Sequence, residues 1–122
     1  TKEFDHFEVT EKIINTLNNA LNIVHRPFGF RVHDAIGNYV QNYPQIEVDG
    51  RYKLAVADQI EQKIIPKLNG LDMDEKSSQC LTIIGKVIKE TGDLGLDQAF
   101  EKSQEDGKRF GMFKWQGVSR EF

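Results

Sequence analysis

Apolar residues return at helical spacing in one segment after another, and this commits most of the chain to helices. The cleanest case is Val32, Ala35, Ile36, Tyr39, Val40 and Tyr43, at steps of three, one, three, one and three. Those steps put six side chains on one face over three turns. An amphipathic helix of that length has to bury its face against other elements. The chain has 122 residues, enough for one compact domain and too few for two. Hydrophobic residues make up 39% and charged residues 29%, so a core can form and wholesale disorder is excluded.

The same spacing locates the other helices. A first helix starts at Thr10, read as a cap with Glu11 in the first turn, and carries Ile13, Leu17, Ala20, Leu21 and Val24. Pro27 breaks it, because the residue before a proline is steered away from helical geometry. Pro44 stops the second helix, and a polar connection ends in the turn pair Asp49-Gly50. A third helix is predicted over about Arg51 to Leu68 with Val56, Ala57, Ile60, Ile64 and Leu68 as its stripe, Pro66 loosening its last turn and Asn69-Gly70 ending it. A fourth starts near Asp72 or Asp74, with Cys80, Leu81, Ile84, Val87 and Ile88 buried and Gly92 as its stop. A fifth covers Leu96 to Asp106 and ends at Gly107. In the tail, Phe110, Met112, Phe113, Trp115 and Phe122 lack helical spacing, so an extended or hairpin-like piece covering the bundle with aromatics is expected. The reading is all-α: a single domain over 1–122, a small bundle of four to five helices with an irregular or short β-like aromatic C-terminal tail.

Charge and chemistry exclude several function classes. Sixteen basic against nineteen acidic residues give a net charge of −3, so no strongly basic nucleic-acid footprint is present. Apolar runs are short, so no membrane span or membrane partner is expected. The single cysteine, Cys80, fits a reducing, cytoplasmic setting and reads as a small core residue. The chain opens on Thr1, not methionine, and we expect a piece of a longer protein. His6, His25 and His33 begin no metal-ligand spacing, and Asp72, Asp74 and Glu75 read as acids serving a helix start, so no metal site is assigned. The glycines at 92, 95, 107, 111 and 117 do not form a phosphate loop, and no catalytic set of nucleophile, base and oxyanion donor is found. Lys108, Arg109, Lys114 and Arg120 alternate with aromatics and can touch a nucleic-acid strand, or can face water while the rings pack inward.

Two stretches carry more. Pro27-Phe28-Gly29-Phe30-Arg31-Val32-His33-Asp34-Ala35-Ile36 puts Arg31 in the first turn of an amphipathic helix, beside backbone N–H groups that favour anions. Asp34 can pair with Arg31 along the helix and fix its rotamer, or can serve the helix dipole; the alternative to a phosphate contact is an ordinary surface ion pair. In Asp58-Gln59-Ile60-Glu61-Gln62-Lys63-Ile64-Ile65-Pro66-Lys67-Leu68-Asn69-Gly70, Lys63 and Lys67 share one face, as do Asp58 and Gln62. This polar side, opposite Ile60 and Ile64, can dock another subunit or face solvent.

In this order and separation the two stretches resemble the C-terminal lid of the AAA+ ATPases related to McrB, the GTP-dependent motor of methylcytosine-specific restriction. Phe28, Gly29, Phe30, Arg31, Val32, Asp34 and Ile36 match the first motif, with Ala35 where that family often has Glu. Asp58, Ile60, Gln62, Lys63, Ile64, Ile65, Pro66, Lys67, Leu68 and Gly70 match the second. The resemblance covers about residues 25 to 90. It implies that Arg31 occupies the sensor-2 position and reaches the nucleotide phosphates, that Phe28 (or Phe30) lies near the base, and that Asp58, Gln62, Lys63 and Lys67 form an interface. ATP or GTP with magnesium would be held by a preceding core, which with neighbouring subunits and DNA in the full assembly completes the partners. The alternatives are a free-standing helical protein-interaction module and a DNA-binding helical domain.

Overall fold

A computed structural model describes residues 6–48 and 50–118. Five α-helices follow one another: α1 (His6–Ile23), α2 (Phe30–Gln41), α3 (Arg51–Gln59), α4 (Glu75–Thr91) and α5 (Leu94–Phe110). The fold is therefore the all-α bundle read from the sequence. The core is built from the expected stripes: Ile14, Leu17 and Leu21 of α1, Ile36 and Val40 of α2, Val56 of α3, Leu81, Ile84 and Ile88 of α4. Among the described residues, no helix is long and apolar enough to cross a membrane.

Pairing between helices fixes the layout. α1 packs on α4, its closest partner. Near the start of α1, Val9 and Ile13 line a groove with Val87 and Glu90 near the end of α4, so the two helices run antiparallel. α4 and α5 are antiparallel as well: the Lys89 ammonium reaches Asp97 at 3.1 Å and Glu101 at 2.8 Å across the short turn between them. One end of the bundle therefore gathers the end of α1, the start of α2, the start of α4 and the end of α5.

The boundaries differ from expectation where backbone chemistry overrides periodicity. α1 is already helical at His6, ahead of Thr10, and the Thr10 hydroxyl donates to the His6 carbonyl at 2.6 Å inside the helix instead of capping it. α2 ends at Gln41, and Tyr43 lies beyond it with the Arg51 guanidinium 5.3 Å over its ring. The predicted helix over 51–68 is not uniform. After Gln59 the chain widens into a π-turn over Ile60–Ile64 and then tightens into a 3-10 turn over Ile65–Leu68. Pro66 supplies the reason, because it has no N–H to give to the preceding turn. The Ile65 N–H instead reaches back to the Ile60 carbonyl, five residues away. Of the two aspartates offered as the start of α4, Asp74 is the cap, its carboxylate accepting from the Ser77 N–H at 2.8 Å. That bond holds the Asp74 carboxyl below its ordinary range.

α5 runs past Gly107 to Phe110, longer than expected. Gly107 is buried inside the helix, where an added Cβ would lie 3.2 Å from the Met73 sulfur and 3.3 Å from the Met112 carbonyl oxygen, so it serves close packing and not termination. The stop is Gly111, at φ 85°. Beyond it the chain is extended as predicted. The Phe113 N–H donates to the Leu71 carbonyl at 2.8 Å, and the Gly70 N–H donates to the Phe113 carbonyl at 2.9 Å. This short pairing seats Phe113 in the core, 5.8 Å from the Phe100 ring. Phe113 and Trp115 pack on the bundle as expected, while Phe110 and Met112 stay outside, because both lie where the helix ends and the chain turns. Phe122, Arg120 and the Asp49 half of the predicted turn lie outside the described residues.

Candidate functional site

The site is built at the gathered end, around the α1–α2 connection. The Arg26 N–H donates to the Leu21 carbonyl at 2.9 Å, and Pro27 fixes the next backbone angle. The Phe28 N–H then donates to the Asn18 side-chain oxygen at 2.9 Å, and the Phe28 ring enters the core with 5% of its surface exposed. Gly29 follows in extended geometry as the residue that starts α2, with no side-chain cap, and the first turn of α2 contains no acid. The positive end of the helix is left without an acidic or capping side chain of its own. The space where a Gly29 side chain would stand is open, so a ligand can approach the backbone there.

Arg31 sits in this first turn and is exposed. Among the described residues its guanidinium makes no hydrogen bond or ion pair. The pairing with Asp34 offered by their spacing is not formed. Asp34 instead turns to His33 Nδ1 at 3.4 Å, while His33 Nε2 meets Glu11 of α1 at 3.0 Å. Phe30 is 79% exposed and stacks on the His33 ring, the centroids 6.0 Å apart. This corrects the assignment of Phe28 to a base contact: its ring is committed to the core, and Phe30 is the aromatic available beside Arg31.

His33 is thus clamped between two carboxylates, the satisfied helix histidine that its place beside the apolar face suggested. The hydrogen bond with Glu11 is the main cause of a pKa raised above 6.5, opposed by partial burial and assisted by Asp34. A raised folded pKa means that this clamp contributes fully below pH 6.5 and loses its contribution as pH rises through the folded value. Glu11→Gln should bring the His33 pKa back toward 6.5 in an NMR titration of the imidazole and flatten the stability loss in that window. An unmoved His33 titration would break the assignment.

The second motif lands at the same end. Arg26 Nη1 donates to the Lys67 carbonyl at 2.9 Å and to the Asn69 carbonyl at 2.7 Å, tying the α1–α2 connection to the Pro66–Gly70 turn. The four predicted interface residues do not form one free face. Asp58 is half-buried and accepts from the Tyr39 hydroxyl at 2.9 Å, so it holds α3 to α2. Gln62 is exposed and accepts from Gln59 at 3.3 Å; Lys63 and Lys67 are half-exposed across the change of pitch.

Sequence reading missed Arg26, Asn18, Asn69 and Glu11. Their bonds span 41 residues for Arg26 and Lys67, 46 for Asn69 and Trp115, and 22 for His33 and Glu11. The one local signal was a charged residue beside a helix-breaking proline. Cys80 is wholly buried in α4, and burial pushes its thiol up to about 11. A thiol reagent should therefore leave the native protein unlabelled and react fully in denaturant; rapid native labelling would contradict the packing. Among the described residues, no group of three or more His, Cys, Asp or Glu is placed to hold a metal ion.

A profile for a family described as "Domain of unknown function (DUF8727)" matches residues 1–109. No curated protein and no solved structure matches the chain.

Proposed function

We infer that this chain, which belongs to the family described as "Domain of unknown function (DUF8727)", is the helical lid of a nucleotide-driven motor of the McrB-related AAA+ kind. One observation carries the reading: Arg31, the residue matching the sensor-2 position, stands exposed on an uncapped helix start and, among the described residues, has no partner. The Arg26 bonds to the Pro66–Gly70 turn add support, since they join the two motifs that carry the resemblance at one end of the bundle.

The residues fit a triphosphate as one wall of a site, not as a complete one. Arg31 would donate to phosphate oxygens in the fork geometry that guanidinium offers, and the free N–H groups of the α2 first turn would add to the attraction. Phe30 would present its ring to the base or sugar. ATP or GTP supplies the bond that is broken, and a preceding core would supply the phosphate loop and the acids that hold magnesium. Gln62, Lys63 and Lys67 would face a neighbouring subunit, with DNA handled by the whole cytoplasmic assembly.

A second reading, a free-standing protein-interaction module, draws on Phe110 at 75% and Met112 at 50% exposure beside Lys108, Arg109 and Lys114. The parent gene separates the two. The lid reading requires a phosphate-binding loop encoded ahead of Thr1 and nucleotide hydrolysis by that longer protein. A parent without the loop, or one that does not turn over ATP or GTP, would reject it in favour of the module.

A further inference from the structure

We propose that Arg26 is the positioning residue for Arg31, and that through Asn69 it ties the arginine-bearing helix to the C-terminal segment. The proposal rests on the lid reading for its functional readout and on hydrogen bonds for its geometry.

Only Pro27, Phe28, Gly29 and Phe30 separate the two arginines, and little freedom remains between them. Pro27 is fixed by its ring, Phe28 by the core and by Asn18, and Gly29 by the helix that starts on it. The direction in which α2 leaves this anchor therefore depends on where Arg26 is held. Arg26 Nη1 uses both of its hydrogens on carbonyls that the end of the 3-10 turn leaves unpaired: Lys67 at 2.9 Å and Asn69 at 2.7 Å. A cation at a helical C-terminus is also favoured by the dipole there. Neither carbonyl belongs to α1 or α2, so the tie is tertiary and sets one segment against another.

Asn69 extends the connection. Its side-chain oxygen accepts from the Trp115 N–H at 2.7 Å, while its carbonyl takes Arg26. One residue thus receives the α1–α2 connection on its backbone and the tail on its side chain. The next residue, Gly70, is itself bonded to Phe113. A shift of the tail would move the carbonyls that hold Arg26 and, four residues on, the helix start that carries Arg31.

The test is a mutant cycle read by turnover in the parent protein, with ATP and GTP as the probes. Arg26→Ala should lower turnover about ten-fold, the scale expected when a charge-stabilising group is displaced by a fraction of its reach. In an Arg31→Ala background it should lower turnover less than two-fold further, because a residue that acts through another has no separate effect once that residue is gone. Arg26→Lys, which keeps the charge and loses the fork, should recover part of the activity; it also carries the comparison if Arg26→Ala does not fold. In the isolated chain, whose single tryptophan is Trp115, Arg26→Ala should shift the emission in the same direction as Asn69→Ala, since Asn69 takes Arg26 on its carbonyl and the Trp115 backbone N–H on its side chain. An equal loss of turnover with and without Arg31, or an unmoved Trp115 emission, would overturn the proposal and leave the lid reading standing. An Arg31→Ala parent that turns over normally would remove the lid reading itself.

Discussion

Ile60→Asp should leave the chain without a cooperative unfolding transition. Ile60 is 1% exposed and stands where α3 gives way to the π-turn, packed with Ile64, Ile65 and Leu68 in the same core. An aspartate there would remove apolar surface and leave a carboxylate with no charged partner in the core. Either the charge stays, at a cost of several kcal/mol, or the group takes up a proton and still lacks its hydrogen bonds. A domain of this size has about 5–15 kcal/mol to lose in all. Ile60→Val, which deletes one methylene, should cost about 1 kcal/mol and melt sharply, separating the charge effect from the volume effect. Circular dichroism melts decide it: a sigmoidal transition for Ile60→Asp near the wild-type temperature would mean that the buried stripe lies on another face.

That stripe was legible from spacing alone, and so was most of the core. Ile36 and Val40, and Leu81, Ile84 and Ile88, are buried as their three- and four-residue steps require. What spacing could not convey was the effect of single backbone groups. Pro66 was expected to loosen a last turn, but its missing N–H changes the pitch from Ile60 onward, because the widened turn has to begin before the proline it accommodates. Gly107 and Gly111 look alike in sequence. One is kept small by Met73 and the other turns the chain at positive φ, a difference made by tertiary neighbours. Thr10 and Asp74 are both plausible caps, and only Asp74 has helical N–H groups waiting at its side chain.

The candidate site was legible in its anchor and not in its surroundings. Arg31 stands exposed at the helix start, as the motif places it. Which of Phe28 and Phe30 faces outward depended on how the connection enters the core, and Asn18 decides that from α1. Asp34 was free to choose between Arg31 and His33; the choice of His33 leaves the guanidinium open. Asp58 was read as surface because its partner Tyr39 lies on another helix, 19 residues away. Each of these outcomes is set by a contact between segments distant in sequence, where periodicity carries no information.

The most direct test of the whole account is hydrolysis by the parent protein carrying Arg31→Ala. The guanidinium is held on a rigid element and has no partner to lose among the described residues, so its removal should leave the melting temperature within a degree or two of wild type. Turnover should fall about 100-fold, the order found when one donor to developing phosphate or oxyanion charge is deleted. Arg31→Lys should recover only part of it, since an ammonium keeps the charge without the paired donors. Single-turnover rates with ATP and with GTP, measured on folded protein of each variant, give the answer: a 100-fold loss at unchanged stability is the result predicted, and wild-type turnover by Arg31→Ala is the result that would contradict it.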